Sequence, residues 1–285
     1  MNPSNDTPTE DSTEPASPSP GRNLPIAIGV GVGLGAVVVF ALLWQSIIFF
    51  GLGSVALALA CWEVSTAMNR AGRRVPIWPV TACGPFIAAM AWFGGGTGLA
   101  LGTALAVAGI LVWRLAEGAS RYRTDVASSV QTLIQVPFLA GFILLLATSG
   151  ENGPLQVLIL LLMVVLSDTG GYTAGVLVGN HPMTPSISPK KSWEGLGGSV
   201  LAAALGGGLA CHFIFEFPFY LGLAFGASVA LAATLGDLAI SVLKRDLNIK
   251  DMSHLIPGHG GLMDRLDSIV MAAPVGYLWF AYLLG

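Results

Sequence analysis

Residues 23–62 read NLPIAIGVGVGLGAVVVFALLWQSIIFFGLGSVALALACW and contain no charged side chain. A single α-helix of this length would extend about 60 Å, whereas the hydrocarbon core of a bilayer is about 30 Å thick. We therefore predict two membrane-spanning helices here, separated at Trp44-Gln45-Ser46. The uncharged stretch from Val75 to Trp113 requires the same division, and Gly94-Gly95-Gly96 supplies a turn.

The composition of the whole chain agrees with a membrane protein. Hydrophobic residues make up 54% of the sequence and charged residues only 10%, and the mean hydropathy is +0.73. Soluble domains carry charge at roughly a quarter of positions, so a soluble enzyme, a disordered chain and a collagen-like fibre are excluded. Single spans fit the remaining apolar stretches, at residues 126–150, 154–179, 195–215, 218–243 and 267–284. The sequence thus predicts an all-α polytopic membrane protein with about nine transmembrane helices.

The positions of the basic residues predict the orientation. With nine spans, all 13 Lys and Arg fall on the side of the N-terminus: Arg22 in the N-terminal tail, and the other 12 in or beside the loops near 63–75, 114–125, 180–194 and 244–266. Basic residues in short loops accumulate on the cytoplasmic side. We predict a multi-pass protein of the cell (inner or plasma) membrane, with a cytoplasmic N-terminus and an external C-terminus. Residues 1–22, rich in Pro, Ser, Thr and acids, are expected to form a disordered cytoplasmic tail.

Two clusters of ionisable residues interrupt the apolar pattern, and the first covers residues 167–195. Asp168 lies within an apolar helix, with Tyr172 and Gly175 on the same face. A loop punctuated by proline leads to Lys190 and Lys191, and Ser192 can cap the next helix. An alternative for the lysine pair is topology signalling and attraction to lipid headgroups.

The second cluster covers residues 236–268. Asp237, Ser241 and Lys244 form a polar stripe on an otherwise apolar helix, and lipid cannot face that stripe. Asp264 and Asp267 lie three residues apart on the following helix, so both carboxylates can converge on one point. The glycine-rich loop before this helix is expected to offer free amides to an anion.

Carboxylates, basic residues and a glycine turn at one interface are typical of a site for Mg²⁺ and phosphate. A zinc site is not expected, because the four histidines lack a short ligand spacing and neither cluster contains a cysteine. We interpret His259, between glycines, as a contact to phosphate or backbone. The catalytic region is accordingly predicted at residues 151–285, preceded by N-terminal transmembrane helices at 23–150.

These residues resemble the diagnostic motif of the phosphatidate cytidylyltransferases, also called CDP-diacylglycerol synthases. The motif here reads Ser241-x-x-Lys244-Arg245-x4-Lys250-Asp251-x4-Ile256-Pro257-x-His259-Gly260-Gly261-x-x-Asp264-Arg265-x-Asp267. The first cluster resembles the same family's other motif, with departures at Gly171 and at Asn180-His181. The resemblance implies that CTP and phosphatidic acid are converted to CDP-diacylglycerol and pyrophosphate in phospholipid biosynthesis.

The resemblance implies the following roles, which are hypotheses for the site. Mg²⁺ is assigned to Asp237 and Asp264, with Asp267 and Asp168 as further ligands or as groups that orient the ligands. The other catalytic and substrate-binding residues are also taken from the two clusters. The phosphates are assigned to Lys191, Lys244, Arg245, Lys250 and Arg265, and further substrate contacts to Ser188, Ser192, Ser241, Tyr172 and His259. Close approach of the backbone to the substrate is assigned to Gly260 and Gly261. Arg265 has an alternative role as an ion-pair partner of Asp264 or Asp267.

Three other classes of protein remain as alternatives. A secondary transporter also carries charges within helices, but the odd span count and the charge gathered at one face disfavour it. A CDP-alcohol phosphotransferase is disfavoured because its D-G-x-x-A-R element is absent, and a structural scaffold leaves the stripe of the second cluster unexplained. No nucleic acid is expected as a partner. The sequence leaves open a homodimer, a second, monovalent cation, the acyl-chain preference and the choice between CTP and dCTP.

Overall fold

The computed structural model describes residues 24–253, 255 and 260–284, and this part of the chain is helical apart from one short hairpin. The tail predicted at residues 1–22 and the contact predicted for His259 lie outside these residues. The helices are α1 (Leu24–Trp44), α2 (Ser46–Arg70), α3 (Ile77–Ala116), α4 (Tyr122–Leu133), α5 (Leu139–Ala147), α6 (Gly153–Val178), α7 (Trp193–Phe215), α8 (Phe219–Asp246) and α9 (Met263–Leu284). The hairpin consists of β1 (Pro182–Thr184) and β2 (Ser188–Ser192), and a π-helical turn (Ile134–Phe138) joins α4 to α5.

Seven helical segments in the described part of the chain are long and apolar enough to cross a membrane. They include α2, α3, the continuous run Tyr122–Ala147, and α6 to α9. The predicted break between α1 and α2 is confirmed, because Gln45 has an extended backbone with φ −152° and ψ 123°. The protein is therefore a multi-pass, all-helical membrane protein in its architecture, as the apolar stretches predicted.

The turn predicted at Gly94-Gly95-Gly96 is also confirmed, because α3 reverses direction there. Gly95 has the non-helical angles φ 61° and ψ −152°. A Cβ on Gly102 would lie 3.8 Å from the Cα of Ile87 and 2.7 Å from the Cβ of Met90. In a straight helix residues 87 and 102 would be about 22 Å apart. The two halves of α3 therefore pack against each other as a helical hairpin.

All four basic loops lie at one end of the helix bundle. Arg73, between α2 and α3, forms an ion pair with Asp246 at the end of α8. The next residue, Arg74, donates its backbone N–H to the Asp125 carboxylate of α4 at 3.0 Å. The hairpin joins the same end, because Arg245 Nε donates to the carbonyl of Ile187 at 3.1 Å. The segregation of basic residues to one face, predicted from the sequence, is thus present in the fold.

Glycines allow α6, α7 and α8 to cross at backbone contact. A Cβ on Gly170 of α6 would lie 2.6 Å from the carbonyl oxygen of Gly198 on α7. A Cβ on Gly226 of α8 would overlap the carbonyl of Ala203 on α7. Small residues at helix interfaces permit such close packing in membranes. The crossings bring the N-terminus of α7 beside the part of α6 that carries Asp168.

Candidate active site

Carboxylates from three helices approach one another near the basic end of the bundle. Asp237 of α8 lies within electrostatic range of both Asp168 of α6 and Asp267 of α9. Lys191 and Arg265 lie within the same range of Asp168, and Lys244 lies within it of Asp267. Asp168 and Asp237 belong to different clusters and are 69 residues apart in sequence, and the fold brings the two clusters together.

The β-hairpin supplies the direct link between the clusters. Lys191 on β2 places its Nζ 2.6 Å from Oδ2 of Asp237. The loop that the sequence predicted as irregular, within an all-α fold, instead forms two short antiparallel strands with Pro182 opposite Ser192. Strand pairing fixes the direction of successive side chains, and this aims Lys191 at α8. Apart from this short hairpin, the described elements are helices, in agreement with the predicted all-α fold class.

Ser192 ends the hairpin and begins α7. Its hydroxyl accepts a hydrogen bond from the backbone N–H of Gly195 at 3.0 Å, which confirms the predicted N-cap. The same hydroxyl lies 3.7 Å from the position of a Cβ on Gly175. The hydroxyl of Ser192 therefore packs against the small-residue face of α6, one to two turns from Asp168.

The polar stripe predicted on α8 is present and continues onto α9. Ser241 Oγ donates to Oδ1 of Asp237 at 3.3 Å, and Lys244 Nζ donates to Oδ1 of Asp264 at 2.9 Å. Each carboxylate of this stripe therefore has a lysine partner, because Asp237 is paired with Lys191. Charges inside a helix bundle are stable when paired in this way.

Asp264 organises the loop that precedes its own helix. Its side chain is only 4% exposed, and its Oδ2 accepts the backbone N–H groups of Met252 and Gly261, both at 3.0 Å. The amide of Gly261, which the sequence analysis expected to be free for an anion, is therefore already occupied. The substrate contacts predicted for Gly260 and Gly261 stay predictions.

Glu63 of α2 is a component of this region that the sequence analysis missed. Its carboxylate is 1% exposed and accepts the backbone N–H groups of Leu262 at 3.0 Å and Met263 at 2.7 Å. It also accepts the hydroxyl of Ser253. An isolated acid at the end of a long apolar stretch was the available signal, since an ionisable residue in a span usually has a specific partner.

The other predicted residues lie around the periphery of the carboxylates. Tyr172 is 75% exposed on α6, and Lys250 is exposed on the loop after α8. Arg265 is exposed in the first turn of α9, and Ser188 pairs with Thr184 in the hairpin. Arg245 donates its Nε to the hairpin, which leaves the rest of its guanidinium group for another partner.

The chemistry of the donor set suits a hard divalent cation. Carboxylate and hydroxyl oxygens are the ligands that Mg²⁺ uses, and the described hydrogen bonds of Asp237 and Asp264 involve hydroxyl, ammonium and backbone amide groups. Within the same residues, however, no three acidic, histidine or cysteine side chains are gathered tightly enough to hold a metal ion. The lysine pairs of Asp237 and Asp264 account for this, because each ammonium group occupies a position beside a carboxylate.

An apolar groove of about 490 Å³ runs along α6. It is open to the outside of the bundle, and its walls are formed by α6 and α7: Leu166, Thr169, Gly170, Thr173, Ala174, Leu177, Val178 and Ala202. Asp168 lies on the same helix, but on the face that carries Tyr172 and Gly175 and not among the residues of the groove. The helix that carries Asp168 therefore also presents a surface that hydrocarbon chains can contact.

Comparison with known proteins agrees with this arrangement. The model of the cytidylyltransferase family matches residues 26–283. The chain is 35% identical over 277 residues to the phosphatidate cytidylyltransferase of Mycobacterium leprae, covering 92% of this chain and 88% of that protein. It is 35% identical to the Mycobacterium tuberculosis protein of the same name, covering 90% of this chain and 82% of that protein. The Helicobacter pylori phosphatidate cytidylyltransferase is 42% identical over 142 residues, covering 48% of this chain and 53% of that protein. The chain therefore belongs to the cytidylyltransferase family, as its two motifs implied.

Proposed function

We propose that this protein transfers a cytidylyl group from CTP to phosphatidic acid, giving CDP-diacylglycerol and pyrophosphate. The observation that carries the proposal is the contact between the two motifs, in which Lys191 of the first pairs with Asp237 of the second, and Asp237 lies within electrostatic range of Asp168 and Asp267. The names of the relatives support the choice of substrates. The apolar groove between α6 and α7 supports a lipid as one of them.

The attacking group in this reaction is a phosphate oxygen of the lipid, which is already anionic at neutral pH. A strong general base is therefore unnecessary, and the chain has to align two polyanions and neutralise their charge. Lys191 and Lys244 are placed to do so, because each can leave its carboxylate for a phosphate oxygen. Arg265, exposed beside Asp168, provides a further cation.

Mg²⁺ would be held by Asp168, Asp237 and Asp267, together with Asp264 on the far side of Lys244. When bound, the ion would withdraw charge from the pyrophosphate as it departs. In the described arrangement Lys191 is paired with Asp237 and Lys244 with Asp264. A bound cation would take the place of each lysine beside its carboxylate, and substrate phosphates would take the place of each carboxylate beside its lysine.

We propose nine membrane crossings with the carboxylates near the cytoplasmic face. The seven apolar segments become nine when α1 is included and α3 is divided at Gly95. The contact between Arg74 and Asp125 supports the division, since a straight α3 of 40 residues would separate its ends by about 60 Å. Because all the basic loops share one end, that end is placed in the cytoplasm.

The proposal is tested with purified protein in detergent, phosphatidate and CTP labelled on the α-phosphate. We expect label to move into lipid, with one pyrophosphate released per CTP consumed, and we expect excess EDTA to stop both processes until Mg²⁺ is restored. Release of pyrophosphate without labelled lipid would indicate hydrolysis and contradict the proposed transfer. Transfer at an unchanged rate in EDTA would contradict the role given to Mg²⁺.

A further inference from the structure

Glu63 lies in α2, far in sequence from both motifs, yet its carboxylate is buried against the first turn of α9. It accepts the backbone N–H groups of Leu262 and Met263 and the hydroxyl of Ser253. The first amides of a helix have no partner within the helix, and an acid placed there also interacts favourably with the helix dipole. Glu63 is thus an N-terminal cap that one transmembrane helix provides for another.

The approach of Glu63 depends on a residue without a side chain. A Cβ on Gly261 would lie 2.6 Å from Oε1 of Glu63 and 2.8 Å from its carboxyl carbon. The backbone of Gly261 meanwhile donates to Asp264 on the other side. The loop before α9 is therefore held between two carboxylates, one from α2 and one from α9 itself.

This clamp determines where the carboxylates of α9 lie relative to α8. Asp264 is on the first turn of α9 and contacts Lys244, and Asp267 is one turn further on, within range of Asp237. If the first turn of α9 moved, both side chains would move with it. Residues that orient the ligands of a metal typically change metal affinity or activity by about 10–100-fold when replaced.

We propose that Glu63 is a positioning residue for the reaction, which fixes the first turn of α9 and thereby sets the geometry of Asp264 and Asp267. The inference rests on the proposed function of these carboxylates. Glu63 does not touch the substrates in this assignment. Its contribution is made through the amides of Leu262 and Met263.

The test compares Glu63→Gln with the wild type and with Asp125→Asn. Glutamine has nearly the size of glutamate, but its N–H₂ group cannot accept hydrogen bonds from the backbone N–H groups. The cap is therefore weakened. Asp125 is the matched control, because it is equally buried near the same end of the bundle and pairs with Arg114 rather than with the loop before α9. A third variant, Glu63→Asp, retains the charge on a shorter side chain.

We expect Glu63→Gln to lower kcat and to raise the Mg²⁺ concentration that gives the half-maximal rate. The ratio of kcat to that concentration should fall by about 10–100-fold. Asp125→Asn should lower thermal stability while leaving the half-maximal Mg²⁺ concentration unchanged. In metal-free protein, hydrogen exchange at the amides of Leu262 and Met263 should become several-fold faster in Glu63→Gln and remain slow in Asp125→Asn. Glu63→Asp should recover part of the wild-type Mg²⁺ dependence and part of the slow hydrogen exchange. It replaces the glutamine variant if that variant does not fold.

Wild-type Mg²⁺ dependence and wild-type exchange in the Glu63 variants would overturn the inference while leaving the proposed function intact. An Asp125→Asn variant with the same change in Mg²⁺ dependence would also overturn it, since general loss of stability would then suffice. A wild-type protein that transfers no label from CTP to lipid would instead overturn the proposed function, and this inference with it.

Discussion

At the scale of single residues, Asp237 and Asp264 look alike in the sequence, but their surroundings differ. Asp237 is partly exposed and is held by Lys191 and Ser241. Asp264 is buried and accepts two backbone amides in addition to Lys244. The first residue is available to a ligand, whereas the second also maintains the local backbone.

This difference predicts different results for the two asparagine variants. We expect Asp237→Asn to reduce turnover by at least about 100-fold, as expected for loss of an electrostatic group in a preorganised site. Its stability should change by no more than about 1 kcal/mol, because partly exposed ion pairs contribute little. Asp264→Asn should also lose turnover, and its stability should fall by about 1–3 kcal/mol, since buried N–H groups lose a partner.

The measurements are labelled-lipid formation and thermal unfolding in the same detergent. Ser228→Ala on α8 serves as a control, because Ser228 bonds Trp279 far along the helix from Lys244. Equal stability of the two asparagine variants would contradict the structural role given to Asp264. Near-wild-type turnover in Asp237→Asn would remove it from the site.

At the scale of the elements, the reversal within α3 depends on one backbone conformation. The angles of Gly95 belong to a region that only glycine adopts readily. A Cβ at Gly95 would meet nothing within 4 Å, and the same is true at Gly94 and Gly96. Any loss of stability caused by a side chain at Gly95 would therefore come from the backbone conformation and not from a steric clash.

We expect Gly95→Ala to lower the free energy of unfolding by about 1–3 kcal/mol, the usual cost of a strained backbone conformation. Gly96→Ala is the matched control, since it adds the same methyl group one residue later without that conformation. Thermal unfolding of the purified variants distinguishes them. If both variants unfolded at the wild-type temperature, the backbone of Gly95 would not hold the hairpin of α3.

The helices and their breaks could be predicted because they depend on local sequence. The length of the uncharged stretch 23–62 predicted the division at Gln45, and three consecutive glycines predicted the reversal at Gly95. The serine before α7 predicted the N-cap of that helix. The clamp of Glu63 on α9 could not be predicted, because it joins residues about 200 positions apart and depends on how α2 packs. Strand pairing in the hairpin was missed because each strand is short and lies among prolines.

At the scale of the candidate site, the sequence predicted which residues gather but not how they are paired. Acids and bases of the two motifs were expected to share one location, and Lys191 does contact Asp237. The loop before α9 was expected to present free amides, whereas Glu63 and Asp264 occupy those of Gly261, Leu262 and Met263. Residue type determines which charges attract, but the partner that each amide finds depends on the three-dimensional packing.

At the scale of the whole molecule, the contacts among basic loops constrain the path of the chain. The hydrogen bond from Arg74 to Asp125 joins the loop before α3 to the loop after it. The two loops share one end of the bundle, so in the proposed topology the chain between them crosses the membrane an even number of times. The run Tyr122–Ala147 then leads to the opposite end, where Glu151 lies, and α6 returns to the hairpin. In the proposed topology, residues 123 and 151 therefore lie on opposite sides of the membrane.

The proposed topology therefore predicts the labelling of two cysteine variants in intact cells. A thiol reagent that does not cross membranes should modify Glu151→Cys and leave Arg123→Cys unmodified, because the first position is external and the second cytoplasmic. Both positions are exposed, so both should react after the cells are permeabilised. The unsubstituted chain gives the background, since its Cys61 and Cys211 are buried and its Cys83 is half-buried. Labelling of Arg123→Cys alone would reverse the orientation and place the carboxylates near the external face, whereas labelling of both in intact cells would contradict a single crossing by Tyr122–Ala147.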